Sequence, residues 1–458
     1  MSNLSPIYHL NLDILWRVFS MNAGLYWTTR TNFMDKSQRA LSVLHRSSQV
    51  CRRWRQIILG SPALWGMVFE LDLLAQDDNR WRKLMMDRAK NSRLCINGTI
   101  RGGHPGSRAF FVNLLHNHWP RIRRFDVFVE DHYLFEPETW DVFQRPALQL
   151  EIFKLYFEKE ESAIFSISDH PIFSNNAPVL REFMFPDTSS TTSLFFLKHI
   201  NPSPGASLVL LTEEHVDTHG TLPDQVIDDL CTQISRYTEN YFSRNYALAR
   251  SIFVKIGPPT FSFKVRKTAD ELVPMPFQND FRIGVFSNHL PQYAVPKMVA
   301  SLNPRRFTHT IRLEFIPYMI DIIEDVQPTL TSLLQALDAV KVMMTSENGI
   351  KAFLNAQSEH PDILPLMDTF WLKYVEPTTD QFPKLLLDFL RGRLRASKPI
   401  TTINISDSFY QFKEKLDWGY LEEIDGLRVI LRQDAKIVEE YVCGTGTPEI
   451  LDMRSRDL

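Results

Sequence analysis

Histidines spaced for a metal, glycines spaced for a phosphate and a nucleophile on a sharp turn would each give this chain chemistry of its own. None of these patterns is complete. Glu214-His215-Val-Asp217-Thr-His219 sets two histidines four apart, as a helical zinc site does, but no glutamate directly follows the first and no spacing supplies a third ligand. His116-Asn-His118, beside Trp119, reads as a surface pair. Gly444-Thr-Gly-Thr-Pro448 is too short for a phosphate loop and lacks a strand–helix context. No Gly-x-Ser-x-Gly elbow occurs. Cys51, Cys95, Cys231 and Cys443 lie far apart with no CxxC pair, which fits free thiols in a reducing compartment better than disulfides or zinc. The expectation is a non-enzymatic protein with no metal and no cofactor.

The composition narrows the class further. The chain has 458 residues, 44% hydrophobic and 23% charged, a globular balance with room for about three domains or one long repeat array. A net charge of −3 predicts no general attraction to nucleic acid or to membranes. No run of apolar residues is long enough to span a bilayer, and Met-Ser-Asn-Leu-Ser-Pro lacks the blocks of a signal peptide. The expected location is intracellular, cytoplasmic and/or nuclear. The acceptor-like triplets Asn97-Gly-Thr99 and Asn404-Ile-Ser406 are then chance matches.

Binding residues are better represented than catalytic ones, and they concentrate near the start. Leu10-Asn-Leu-Asp-Ile-Leu-Trp-Arg-Val-Phe19 predicts a short amphipathic helix. Residues 20–37 read as an insertion loop. The helical pattern returns from Gln38 to Leu59, with Leu41, Leu44, Val50 and Trp54 as candidate core positions. Gly60-Ser-Pro62 stops that helix, and Leu64-Trp65 closes the stretch with an apolar anchor. So few residues bury too little surface to be secure alone, and a partner protein is the natural cover.

After Trp65 a repeat begins. Pairs of apolar residues two apart recur at a step of about thirty residues: Leu94/Ile96, Phe125/Val127, Phe153/Leu155, Phe183/Phe185, then Ile252/Val254, Phe281/Ile283, Ile311/Leu313, Val340/Val342, Phe370/Leu372, Ile403/Ile405 and Leu427/Val429. The long gap after Phe183 has room for one more unit near Leu208–Leu211 plus an insertion. Each pair predicts a strand with alternate residues in a core, followed by a crossover helix and the next parallel strand. Leu386, Phe389, Leu390 and Leu394 share one face of such a helix. Many prolines fall in the connections, Pro120, Pro178 and Pro399 among them, where strands tolerate them. A globular α/β sheet is the alternative, but no strand precedes a glycine-rich phosphate-binding turn.

The opening stretch resembles an F-box, the motif by which substrate receptors dock on the Skp-type adaptor of cullin–RING (SCF) ubiquitin ligases. Its first helix follows the family's Leu-Pro-x-Glu-Ile-Leu-x-x-Ile-Phe, with Asn11 in place of the proline. Val50-Cys-Arg-Arg-Trp-Arg-Gln-Ile57 and Pro62-Ala-Leu-Trp65 follow the family's second block. The whole chain is similar to the large fungal F-box families with irregular leucine-rich repeats, although their repeat asparagine is replaced here by Glu130, Glu158, Thr188, Gly257 and Ser408, among others. The resemblance implies an α/β chain: a three-helix F-box over 7–66, then a leucine-rich-repeat-like solenoid of parallel strands and crossover helices over 67–432. It has an insertion around 186–247 and a tail over 433–458. It further implies a substrate receptor in which Leu10, Leu12, Ile14, Leu15, Phe19, Val50, Cys51, Trp54, Ile57, Leu64 and Trp65 serve the adaptor. The bland alternative makes these residues the core of a free helical domain. A repeat-based interaction scaffold outside the ubiquitin pathway is the rival function.

Within the repeat, the residue between the two apolar positions faces away from the core. Taken in order, Arg282, Arg312, Lys341 and Trp371 are expected to form a strip at the ordinary strand spacing, extended by Lys373. Guanidinium groups there would favour an acidic or phosphorylated protein target. An ordinary solvated face is the alternative. Trp65 is expected both to close the F-box and to cap the first strand, near Met67 to Leu71.

Overall fold

The computed structural model describes residues 10–24, 39–76, 79–101, 105–130, 142–143, 145–157, 179–188, 190–201, 203–213, 222–245, 249–257, 260–266, 281–287, 290–291, 293–303, 307–317, 323–372, 381–405, 417–433 and 436–452. The histidine stretch from Glu214 to His219, and Lys373, lie outside these residues. The chain is α/β, its strands mostly parallel in an open arrangement. It divides into two compact units, residues 1–210 with 275–279, and 211–274 with 280–458. Among the described residues, no helix is long and apolar enough to cross a membrane.

The first unit starts with helices α1 (Leu12–Gly24), α2 (Ala40–Val50), α3 (Arg52–Leu59) and α4 (Pro62–Gly66). The strand series then opens with β1 (Phe69–Glu70), followed by α5 (Leu71–Leu74), α6 (Arg80–Ala89), β2 (Leu94–Ile100), α7 (Pro105–His118), β3 (Ile122–Val129), β4 (Ile152–Phe157) and β5 (Glu182–Thr188). Strands β1 to β5 pair in chain order, each parallel to the next. The register sets Phe125, Phe153 and Phe183 side by side, with ring centroids 5.1 and 5.9 Å apart. Phe111 from α7 and Trp119 pack on the same ladder, so this is the helix side of the strands. The stretch assigned to an insertion carries α8 (Ser190–His199), β6 (Ser207–Glu213) and α9 (Asp224–Asn245). The division between the units falls within β6.

The second unit holds β7 (Ser251–Gly257), β8 (Thr260–Arg266), β9 (Phe281–Phe286), α10 (Ala294–Ala300), β10 (Arg312–Pro317), α11 (Ile323–Gln335), β11 (Val342–Thr345) and α12 (Glu347–Glu359). They are followed by β12 (Thr369–Leu372), α13 (Phe382–Arg395), β13 (Thr402–Ile405), β14 (Arg428–Gln433) and β15 (Lys436–Val442). Its strand order is β9-β8-β7-β10-β11-β12-β13-β14-β15. From β7 and β10 onward to β14 the pairs are parallel, and helices α9 to α13 pack on one another in chain order. Leu313, Met343, Phe370, Ile403 and Val429 share one register row and are buried, Phe370 lying against Phe389 of α13.

Three features differ from the sequence expectation. Strand β8 pairs antiparallel with both β7 and β9, so the strand at Phe281 is not the direct neighbour of the strand at Leu313. Its alternating Phe261, Phe263 and Val265 were legible as a strand, but the constant repeat step already accounted for that interval. At β11 the inward residues are Met343 and Thr345, whereas Val342 pairs with Arg312 on the other face. Residues beyond 433, expected as a tail, include β15, which closes the series antiparallel to β14.

One buried cation holds the array locally. Arg393 of α13 is fully enclosed and donates to the carbonyls of Ile363, Leu364 and Met367 at 2.9–3.1 Å, fixing the turn that leads into β12. Burial pulls its guanidinium down to about 10, and the three carbonyl dipoles are what make enclosing that charge tolerable.

Candidate functional site

Helix α1 begins on Asn11, the residue that stands where the family motif has proline. Its side-chain oxygen accepts from the Asp13 amide at 3.3 Å and its carbonyl from the Leu15 amide at 3.1 Å, so asparagine supplies a cap that proline could not. Leu15 and Phe19, four residues apart, are buried inward. Ile14, Val18 and Met21 follow one another at helical spacing on another face and stay 41–62% exposed. Leu12 and Trp16 are exposed as well. A helix this short has no structural use for a second apolar stripe facing water.

The second sequence block folds as a set of interlocked caps. Cys51 is extended, and its sulfur accepts from the Trp54 amide at 3.5 Å, starting α3 one residue after α2 ends. Trp54 meets Phe19 edge to face at 5.0 Å. Arg53 reaches the carbonyl of Leu10 at 2.6 Å and Arg55 that of Ser48 at 3.2 Å. Pro62 opens α4 where its missing N–H costs nothing. The Trp65 indole donates to Ile58 at 2.8 Å, and the Arg88 guanidinium lies 4.3 Å above its ring. Gly66 next to it approaches Arg93 so closely that a Cβ would collide with its carbonyl.

The eleven residues expected to serve the adaptor therefore separate by burial. Leu15, Phe19, Leu64 and Trp65 are interior. Leu10, Cys51, Trp54 and Ile57 are half-buried, and Leu12, Ile14 and Val50 are exposed, Val50 at 63%. Trp16, Val18, Met21 and Leu59 are exposed apolar residues that motif matching passed over, although the i, i+4, i+7 spacing of Ile14, Val18 and Met21 marks them. Trp65 is enclosed where α4 packs on α6.

A charged joint ties α2 to the first strand. The Glu70 carboxylate accepts from the Leu41 amide at 2.8 Å in the first turn of α2, while Arg39 and Asp72 pair at 3.3 Å beside it. Asp72 also accepts from the Thr99 amide at 3.1 Å. Burial pushes Glu70 up to about 7, against the backbone hydrogen bond and the Arg39 charge, which favour ionisation.

The expected cationic strip is rearranged. Arg312 and Trp371 do meet on the face opposite the described helices, the guanidinium 4.7 Å from the ring centroid. Lys341 lies one residue before β11 and is exposed; its backbone amide joins the ladder at Ile311, so it is not a strip member. Arg282 stands two strands farther from Arg312 than expected, because β8 and β7 intervene. Arg432 was missed: its guanidinium lies 5.1 Å from the Trp371 ring centroid and donates to Asn404 at 3.0 Å. The series of apolar pairs ended at Leu427/Val429 and never reached it.

Comparison of the sequence with models of known protein families finds no match, and comparison with curated proteins finds none.

Proposed function

We propose that this chain is a substrate-receptor subunit of a cullin–RING ubiquitin ligase. Helices α1–α4 act as an F-box that docks on a Skp-type adaptor, and the strand–helix repeat behind them is an irregular leucine-rich-repeat-like solenoid that holds a target protein. The receptor itself carries out no bond chemistry; it contributes proximity, keeping a target lysine near the ubiquitin-charged enzyme. Its place of work is the cytoplasm and/or the nucleus.

The observation that carries this reading is the exposed apolar stripe Ile14–Val18–Met21 on a helix whose opposite side is already packed. Burying such side chains is worth about 1.5–3 kcal/mol each, enough for a handful of them to anchor an interface. The motif residues fall into two jobs that support it, Leu15, Phe19, Leu64 and Trp65 building the unit and Ile14 and Val50 left at its surface.

Co-expression with a Skp-type adaptor tests the proposal. Full-length protein should retain the adaptor through purification. Ile14→Asp combined with Val50→Asp should release it, weakening the complex by at least about tenfold per site, while the thermal melt stays unchanged. Absence of adaptor retention by the unaltered chain would sink the receptor reading and leave the scaffold.

A further inference from the structure

Where α2 meets the first two strands, the chain encloses two acceptors side by side. Register sets Glu70 of β1 beside Asn97 of β2 on the same face, in strands about 4.8 Å apart. Both residues are buried, at 2% and 7% exposure. Glu70 commits one oxygen, Oε1, to the Leu41 amide at 2.8 Å in the first turn of α2. Among the described residues, its Oε2 and the Oδ1 of Asn97 accept no hydrogen bond. Two enclosed acceptors cannot satisfy each other, but one proton between them satisfies both.

The charged neighbours leave room for that proton. Arg39, preceding α2, pairs through Nη1 with Asp72 of α5 at 3.3 Å, and Asp72 also accepts from the Thr99 amide, so this cation is not given over to Glu70. Its enclosed Nε donates no hydrogen bond among the described residues. On β2, Cys95 shares the face of Asn97, and burial pushes its thiol up, which keeps it neutral. On β3, Asp126 is answered by Arg124 at 3.0 Å. His45, farther along α2, lies against Trp81 instead. Burial, the largest cause, raises the Glu70 carboxyl to about 7, so the proton is held across the mildly acidic range.

We propose that Glu70 donates a proton from Oε2 to Asn97 Oδ1, and that this bond makes the joint between α2 and strands β1 and β2 a latch operated by pH. Protonated, Glu70 clamps three elements at once: Oε1 holds the first turn of α2, Oε2 holds β2, and its own backbone belongs to β1. On ionisation the proton leaves to solvent, the two acceptors repel, and Arg39 Nε becomes the group that can answer Oε2. Arg39 is then drawn from Asp72, and the start of α2 loosens from the strands. The device does not rest on the receptor reading, although α1, which carries the Ile14–Val18–Met21 stripe, packs on α2.

Infrared difference spectra of the full-length protein against Glu70→Gln read the proton directly. At pH 6 an ordinary carboxyl is ionised, and a neutral acid stands out by its C=O stretch. The acid band should be present at pH 6, be lost by pH 8 and shift to higher frequency in Asn97→Leu, where the O–H has no acceptor. Should that variant fail to fold, Asn97→Val takes its place. Absence of the band at pH 6 would mean that the Asn97 amide is turned to donate to a carboxylate. An unmoved band in the folded variant would mean that the proton points elsewhere, and either result overturns the proposal. Amide exchange of the peptide bearing Ala40 and Leu41, corrected for its intrinsic pH dependence, reads the latch. Opening should become about tenfold more frequent between pH 6 and 8. Glu70→Gln, whose amide donates where the acid did, should keep the low-pH rate at both pH values. An unchanged rate in the unaltered chain, or a Glu70→Gln rate that rises with it, would remove the latch.

Discussion

Two strand faces, each turned away from its own helices, handle charge in different ways. In the first unit Arg124 lies 3.0 Å from Asp126, and Lys154 pairs with Glu182 in a nearly dry setting. Glu70, Asn97, Asp126 and Lys154 occupy one register row there, a polar stripe whose named cations have carboxylates beside them. In the second unit, cations outnumber carboxylates on the strands, and Lys264 even faces Arg282 across a ladder. A face balanced within itself has satisfied its electrostatics by folding. The second face instead sets two of its cations, Arg312 and Arg432, against the Trp371 ring. The same strand architecture thus holds its charge in carboxylate pairs in one place and partly against an aromatic ring in the other.

The largest effect should come from breaking the balance in the first unit. Glu182→Gln leaves the Lys154 ammonium enclosed without its carboxylate, and one-sided removal from a buried pair costs about 3–5 kcal/mol. A urea melt should register that loss. The double change Lys154→Met with Glu182→Leu should recover most of it, because matched apolar groups need no compensation. A loss below about 1 kcal/mol for the single change would mean that the two faces do not differ in this respect.

How far this contrast was readable beforehand depended on which interaction set it. Apolar pairs such as Phe125/Val127, Phe153/Leu155 and Ile403/Ile405 located strands, since a two-residue period and a thirty-residue step are written in the sequence itself. Face assignment failed at β11, where Val340, Val342, Met343 and Met344 are all apolar and the alternation has no unique phase. Neighbour relations failed at Arg282, because the thirty-residue step was followed past Gly257-Pro-Pro-Thr260, a connection too short for a crossover, which marks an antiparallel strand between. In the N-terminal helices the sequence pattern did not separate the enclosed sides from the exposed ones. Ile14 and Leu15 are equally apolar, and only the packing of α2 and α3 decides that Leu15 is enclosed and Ile14 is not.

A pH titration sharpens the contrast at a smaller scale. Glu70 belongs to the first unit's polar row, and in the folded chain it holds its proton to about 7 rather than 4.5. Between those values the folded state binds more protons than the unfolded one, so this group makes stability fall as pH rises through the window and level off above it. Arg39, which favours ionisation, and Asp72, which opposes it, are both already contained in that shift. The full span corresponds to up to about 3 kcal/mol. Glu70→Gln, which can still accept from the Leu41 amide, should flatten the slope between pH 4.5 and 7; parallel profiles for the two proteins would exclude Glu70 as its source.

The smallest effect is expected on the second face, and its sign is what matters. Replacing Lys264 with threonine removes a like-charge pair with Arg282 and places a β-branched residue in a strand, both favourable to the sheet. The fold should gain about 0.2–1 kcal/mol in a thermal or urea melt. A gain would show that the Lys264–Arg282 juxtaposition, unlike the Lys154–Glu182 pair, works against the strands that carry it. If stability fell instead, Lys264 would be holding the strands together, and the second face would be balanced internally like the first.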